Sequence, residues 1–373
     1  VLVAPTAFKG TLTALEAARA LADGWRSERP GDDLIVVPIG DGGDGSLDML
    51  ESAIGAARRT IPARDAFGRV HDAPYAVLGE AAAFVESAAI AGIARLDPLE
   101  HDVMRASTAG VGDMIRHLAE EGMSRIAVGV GGTSSHDVGI GMMAVLGARF
   151  EGADGDLLAG RDLHRIRAVD LEPVRDLLGG VNVVGVCDVA CRLYGPGGAA
   201  ERFAPQKGAS VDQVAQLDRA TRAFSQAAGC ATGKRLNGLK YGGAGGGLAA
   251  GLHLGCIARL VGGLDWLVRK CGLVRIVKGV DLVITGEGRF DETSLQGKAA
   301  YRLLEIAAGE GKPVLLASGI CNVPVDRLRD LGFRAWASAA DPHSGDGDHG
   351  RSVARLGAQL AGALARAAIT RTP

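Results

Sequence analysis

What most constrains this chain is a recurring order: a short apolar run, then a loop of glycine and acidic residues, then apolar residues at helical spacing. Residues 1–4 make a first apolar run ending at Pro5. Thr11 or Thr13 then caps a helix carrying Leu15, Ala18, Leu21 and Ala22. A second strand over 34–39 breaks into the loop 40–45, and a helix follows from Ser46. Strand, loop and helix in repeated order are the pattern of an open α/β sheet.

Residues 58–93 depart from that order. Apolar runs at 76–78 and 83–85 lie between turn signals at Phe67-Gly68 and Leu78-Gly79, which predicts hairpins. Alternation resumes with a helix over 112–121 and strands over 126–130 and 181–186. After a helical middle come three strands at 281–285, 313–317 and 333–337. The last three resemble the first two, so two α/β domains are expected. One is a discontinuous, Rossmann-like open-sheet domain over 1–57 and 280–373. The other is a larger inserted mixed α/β domain over 58–279, with an active-site cleft between them. The length of 373 residues agrees, because single domains usually run to about 100–200.

Composition narrows the function classes. A chain 47% hydrophobic and 23% charged can bury a core and is not intrinsically disordered. A net charge of −2 gives no global field for nucleic acid or an anionic membrane, so neither is an expected partner. The long uncharged stretch 241–258 is packed with glycine and carries His253, unlike a membrane span. Six scattered cysteines read as buried, reduced thiols. No secretory signal is visible, and a soluble, cytoplasmic protein is expected. Glycine supplies 56 residues while aromatics supply only 4%. Sites in such a chain are built from backbone, which suits small, polar, phosphorylated ligands.

Ligands of open α/β sheets bind at the carboxyl ends of strands, and five loops lie there. The first, Ala4-Pro5-Thr6-Ala7-Phe8-Lys9-Gly10, offers Lys9 to an anion at a helix N-terminus. The second, Gly40-Asp41-Gly42-Gly43-Asp44-Gly45, offers oxygen ligands for Mg²⁺. The third runs over 129–141 and combines Gly131, Gly132, Thr133, Ser134, Ser135, Asp137 and Gly139, an anion cradle of backbone N–H groups and hydroxyls. His136 is read as a loop residue.

The fourth loop places Asp188 just past a strand, where it can serve as a base, and Lys207 on a glycine-bounded turn as a charge clamp. The fifth, Gly286-Glu287-Gly288-Arg289-Phe290-Asp291, ends at Gly297-Lys298. Only 8 of the 41 basic residues are lysines, yet Lys9, Lys207 and Lys298 all fall in these loops, as point charges for phosphate would. No G-x-x-x-x-G-K-[ST], G-x-S-x-G or H-E-x-x-H motif occurs, and the two dinucleotide-type glycine patterns are imperfect. The His- and Asp-rich segment 341–350 reads as a solvated loop.

Taken together, these segments resemble the bacterial type-1 glycerate kinase family. The resemblance is collinear over most of the chain. It rests on Ala4-Pro5 with Phe8-Lys9-Gly10, Asp41-Gly42-Gly43, Gly131-Gly132 leading to Asp137 and Gly139, and Asp188-Val189. It continues through Pro205-Gln206-Lys207-Gly208-Ala209, Gly246-Gly247 and Thr285-Gly286-Glu287-Gly288-Arg289 with Asp291 and Lys298. The sequence departs from the family pattern at Thr6-Ala7, His136, Cys191-Arg192-Leu193 and residues 341–345.

The resemblance implies ATP-dependent phosphorylation of D-glycerate, with 2-phosphoglycerate favoured over 3-phosphoglycerate. Asp188, Lys9, Arg289 and Lys207 are then the expected catalytic residues. Gly131, Gly132, Thr133, Ser134, Asp137, Gly286, Gly288 and Lys298 would hold ATP, and Asp41, Glu287 and Asp291 would hold Mg²⁺. A small hydroxy acid and a nucleotide are the expected partners, with homodimerisation left open. Three alternatives remain: a kinase of a related hydroxy acid, a non-catalytic metabolite sensor and a nicotinamide-dependent dehydrogenase.

Overall fold

The computed structural model describes residues 1–8, 10–155, 157–339 and 349–369, with side chains described as far as residue 363. Lys9 and most of the segment 341–350 lie outside the described residues. Thirteen strands occur among the described residues, numbered β1 to β13 in chain order: Leu2–Pro5, Ile35–Val36, Ala57–Arg64, Val70–Gly79, Ala82–Glu86, Arg125–Gly129, Arg149–Glu151, Ala168–Asp170, Asn182–Cys187, Arg259–Gly262, Val283–Phe290, Val314–Cys321 and Phe333–Ser338. The chain divides into two compact units. One holds residues 1–40, 48–55 and 267–373; the other holds 41–47 and 56–266.

The first unit is an open sheet in the order β13-β12-β11-β1-β2, parallel throughout. Counting its strands along the chain, this is the doubly wound order 2-1-3-4-5. Its direction reverses between β1 and β11, so their carboxyl ends form the crevice such sheets use for ligands. Helices cover the faces of a parallel sheet, so its strands are apolar on both sides. β1 accordingly reads Leu-Val-Ala-Pro and is buried at every position. Thr13 caps the helix Ala14–Glu28 in a reciprocal capping box with Glu16. That helix buries Ala17, Ala18, Leu21, Ala22 and Trp25. It packs on the helix His349–Ile369 so closely that a Cβ on Gly24 would overlap the Ala354 carbonyl, and one on Gly357 the Leu21 carbonyl.

The second unit holds a six-stranded sheet in the order β10-β9-β6-β5-β4-β3. β3, β4 and β5 form the antiparallel hairpins expected from the turn signals at Gly68 and Gly79. β5, β6, β9 and β10 are parallel, so Glu86, Gly129, Cys187 and Gly262 end their strands along one edge. Phe84 stacks on Trp266 at 5.7 Å, and a continuous apolar core joins this sheet to the helices around it.

One segment differs from its sequence reading. Residues 286–289 are not a loop but the second half of β11, paired in register with β12 from Gly286–Ala317 to Arg289–Ile320. The glycines are there for close strand approach: a Cβ on Gly286 would stand 2.3 Å from the Ala317 carbonyl oxygen. Among the described residues no helix is long and apolar enough to cross a membrane.

Candidate active site

Three backbone segments converge at the carboxyl edge of the second unit's sheet. The turn from Asp41 to Ser46 is folded on itself: Gly42 N–H donates to Ser46 Oγ at 3.1 Å, Ser46 Oγ donates to the Gly43 carbonyl at 2.8 Å, and Gly43 N–H donates to Asp41 Oδ1 at 3.1 Å. The loop after β6 lies against it, with Gly131 N–H donating to the Gly42 carbonyl at 3.0 Å. The third segment is the end of β9. A Cβ on Gly131 would meet Gly43 Cα at 2.7 Å and Asp188 Oδ2 at 2.8 Å. Gly132 has φ +74, and a Cβ on it would meet Asp44 Oδ2 at 2.7 Å. Glycine is thus required at both positions by contact, and at Gly132 by backbone conformation too.

Asp188 remains open to solvent at its recessed strand end. The protein crowded around it raises its carboxyl to about 6, and the like charge of Asp41 adds to the rise. Hydrogen bonds from its own and the Val189 backbone, and the charge of Lys207, act the other way. Asp188 is therefore ionised at neutral pH but far more basic than an ordinary aspartate.

Lys207 is 4% exposed. Its ammonium donates to the Ser135 carbonyl at 2.7 Å and to Thr133 Oγ1 at 3.4 Å. Burial pulls it down to about 8, and the charges of Asp188 and Asp137 limit the fall. Its nearest described partners are the loop's own oxygens, so it braces the loop from below. His136 is fully buried and held neutral, lowered to about 3 by burial and by Lys207. Its Nε2 lies 3.2 Å from Thr221 Oγ1.

The expected cradle residues divide by environment. Asp137 is wholly buried. Its carboxylate accepts from Thr108 N–H, Thr108 Oγ1, Gly139 N–H and Gly141 N–H at 2.7–3.3 Å. Burial raises it and these bonds oppose the rise. It ties the loop to the start of two helices and has no acceptor capacity directed at a ligand. Ser134 is likewise committed, its hydroxyl donating to the Ala91 carbonyl at 2.9 Å. Gly131 is bonded at both backbone groups, its N–H to the Gly42 carbonyl and its carbonyl to the Ser87 hydroxyl, and the Gly132 carbonyl accepts from Ile93 N–H at 2.9 Å, which leaves the Gly132 and Thr133 N–H groups in this part of the loop.

In the first unit, Glu287, Arg289, Asp291 and Lys298 gather around the end of β11. Lys298 Nζ stands 3.9 Å from both Glu287 Oε2 and Asp291 Oδ1. Asp291 Oδ1 also accepts from Thr293 N–H at 2.9 Å and Thr293 Oγ1 at 2.6 Å, which with Lys298 lowers its carboxyl. Gly286 is committed to the sheet, its carbonyl accepting from Thr6 N–H at 2.8 Å. Gly288 packs under Gly319. Among the described residues no group of three or more His, Cys, Asp or Glu side chains is placed to hold a metal ion.

The glycerate kinase family matches this chain over residues 1–367. The chain belongs to the glycerate kinase family. It is 30% identical to the glycerate kinase of Halalkalibacterium halodurans, over 90% of this chain and 89% of that protein. It is 30% identical to the glycerate 2-kinase of Escherichia coli, over 90% and 89%. A solved structure assigned as glycerate kinase 2 of Salmonella typhimurium LT2 superposes with a TM-score of 0.80 at 29% identity, covering 99% of this chain and 98% of that one. As a glycerate kinase family member the chain is a phosphotransferase with an alcohol acceptor, and the α/β architecture expected from its sequence is the one observed.

Two buried polar residues escaped the sequence reading, one in each unit. Glu86 ends β5 and is 6% exposed, and Ser318 lies in β12 opposite Glu287 and is 1% exposed. Each is a polar residue following an unbroken apolar run, Ala-Ala-Phe-Val before Glu86 and Val-Leu-Leu-Ala before Ser318. That was the available signal.

Proposed function

We propose that this chain transfers the γ-phosphoryl group of ATP to the 2-hydroxyl of D-glycerate, giving 2-phosphoglycerate and ADP. The observation that carries the reading is Asp188, a solvent-reachable carboxylate raised to about 6 beside glycines that leave no room for a Cβ. Relatives named glycerate kinase and glycerate 2-kinase support the acceptor and the position of transfer.

Phosphoryl transfer needs positioning and charge compensation more than covalent chemistry. Asp188 takes the proton of the attacking hydroxyl as the new O–P bond forms and the bond to the bridging oxygen of ADP breaks. A base near 6 is charged at neutral pH and still accepts a proton readily. The Gly132 and Thr133 N–H groups would donate to the phosphate oxygens. Lys207 keeps that backbone in place and, as a cation, favours ionised Asp188. Arg289, exposed near the end of β11, and Lys298, at the N-cap position of the helix Ala299–Gly309, are the cations that the first unit offers to phosphate. Lys9 has the same expected task.

Magnesium would accompany the nucleotide. Asp41 fits it: this carboxylate is exposed, one of its oxygens accepts, among the described residues, only from the Gly43 N–H of its own turn, and its like charge acts on Asp188. Asp291 fits less well because Thr293 and Lys298 already engage it, and Lys298 also faces Glu287. One or two carboxylates with water and phosphate oxygens are the usual surroundings of Mg²⁺. When bound, the ion neutralises charge on the phosphate oxygens.

The test is ADP release with MgATP and a panel of small hydroxy acids, followed by NMR location of the phosphate. Turnover with D-glycerate and phosphorus coupled to C2 is expected. Phosphorus on C3 overturns the position of transfer, and turnover confined to another acid overturns the substrate. Ligand binding without ADP release would make the chain a sensor.

A further inference from the structure

Glu86 is an acidic residue with almost no exposure at the centre of a sheet, where a carboxylate is costly unless hydrogen-bonded. It ends β5, directly beside Gly129 of β6 in the parallel register. Its Oε2 accepts from Leu47 N–H at 2.9 Å. Leu47 lies in the first turn of the helix Ser46–Ile54, where backbone N–H groups have no partner within the helix and a negative charge is favoured. Glu86 therefore fixes the downstream end of the Asp41–Ser46 turn. The next residue, Ser87, is fully buried and donates from Oγ to the Gly131 carbonyl at 3.2 Å. Two adjacent side chains at one strand end thus hold the two segments that bracket Asp188, one from each side.

The tolerance between those segments is small. Gly131 N–H bonds to the Gly42 carbonyl, and Gly43 lies so near Gly131 that a single methyl group would collide. A Cβ on Gly132 would meet Ala88 Cβ at 2.8 Å and the end of the Asp44 side chain at 2.7 Å. A turn free to drift by an ångström would carry Asp41 and Asp44 away from the Gly131–Thr133 backbone. Misplacement on that scale costs a positioned reaction about 100-fold.

We propose that Glu86 and Ser87 are positioning residues for phosphoryl transfer, acting together as a two-sided clamp that sets the Asp41–Ser46 turn against the Gly131 loop around Asp188. Glu86 acts through its accepting oxygen on the Leu47 amide, and Ser87 through its hydroxyl on the Gly131 carbonyl. Neither reaches the substrate. The inference rests on the reading of Asp188 as the base, but the clamp itself is a statement about backbone and is measured separately.

The experiment compares Glu86→Ala, Glu86→Gln, Ser87→Ala and the double alanine variant in the full chain. Amide hydrogen exchange is read at Leu47, Gly42 and Gly131, alongside steady-state kinetics with MgATP and D-glycerate. Glu86→Ala is expected to speed exchange at Leu47 at least tenfold and to lower kcat about 100-fold, with KM for ATP changed less than threefold. Glu86→Gln keeps an acceptor oxygen and should recover both readings to within about fivefold of the unaltered chain. Ser87→Ala should speed exchange at Gly131, and the double variant should lose less than the product of the single losses. Exchange at Leu47 unchanged by Glu86→Ala would overturn the clamp. So would a Glu86→Gln variant as inactive as Glu86→Ala with slow exchange retained, since the charge itself would then be acting. Should Glu86→Ala not fold, exchange and kinetics of Glu86→Gln and Ser87→Ala decide the matter. An unaltered chain inactive on D-glycerate, with the exchange pattern as expected, would sink the proposed reaction and leave the clamp standing.

Discussion

Gly131 and Asp188 are so placed that a Cβ on the glycine would stand 2.8 Å from Oδ2 of the aspartate. The missing side chain is therefore a condition for the carboxylate to sit where it does. Gly131→Ala must displace either Asp188 or the Gly43 backbone 2.7 Å away. We expect kcat/KM to fall about 100-fold, because positional error of this size is expensive in a pre-organised site. The thermal midpoint should drop only a few degrees, and steady-state kinetics beside a melting curve separates the two effects.

Removing the base without moving it is the complementary experiment. Asp188→Asn keeps size and shape but cannot accept the proton. Turnover should fall by about 10²–10⁴, the range for a lost general base. Calorimetric titration with ATP should show affinity within a few-fold of the unaltered chain. Turnover retained within tenfold would remove Asp188 from the role.

The two shifted groups set a pH window. Asp188 must be ionised, so the rate should fall as pH drops through about 6. Lys207 must stay charged, so the rate should fall again as pH rises through about 8. A bell-shaped kcat/KM profile with these limbs is expected. Asp41→Asn removes the like charge that helps raise Asp188, so the acid limb should move to lower pH while the basic limb stays. An acid limb that does not move would show that Asp41 does not act on the group being titrated.

Asp137 bears on stability rather than chemistry. Asp137→Ala strands four buried donors, from Thr108, Gly139 and Gly141. An unsatisfied buried donor costs roughly 1–3 kcal/mol, so a loss on the order of 3 kcal/mol is expected in urea unfolding. Asp137→Asn should also destabilise, since its amide would turn a donor toward donors.

Much of the fold was legible because it is written locally. The unbroken apolar run of β1, the threonine cap that the structure places at Thr13 of the two candidates, and the turn signals at Gly68 and Gly79 each act within a few residues. The Thr285–Arg289 motif was found but misplaced. Its glycines look like a loop in sequence, and only the neighbouring strand shows that they let β11 and β12 approach.

The candidate site was legible in location and less so in the part each residue takes. Asp188, Lys207 and Gly131 could be picked out by residue type and by position after predicted strands. Sequence could not show that Lys207 is spent on Ser135 and Thr133, that Ser134 is spent on Ala91, or that Asp137 anchors helices. Glu86 went unnoticed because its partner Leu47 lies 39 positions earlier.

The amino-acid order alone determined the α/β class, most of the strand-end loops and the kinship with a kinase family, because propensity, apolar period and motif act between near neighbours. The tertiary structure decided which charges are buried, which hydroxyls are already bonded, and that Asp41 raises Asp188 across 147 positions of chain. Desolvation and Coulomb fields depend on distances through space, and the chain sets those distances only when it has folded.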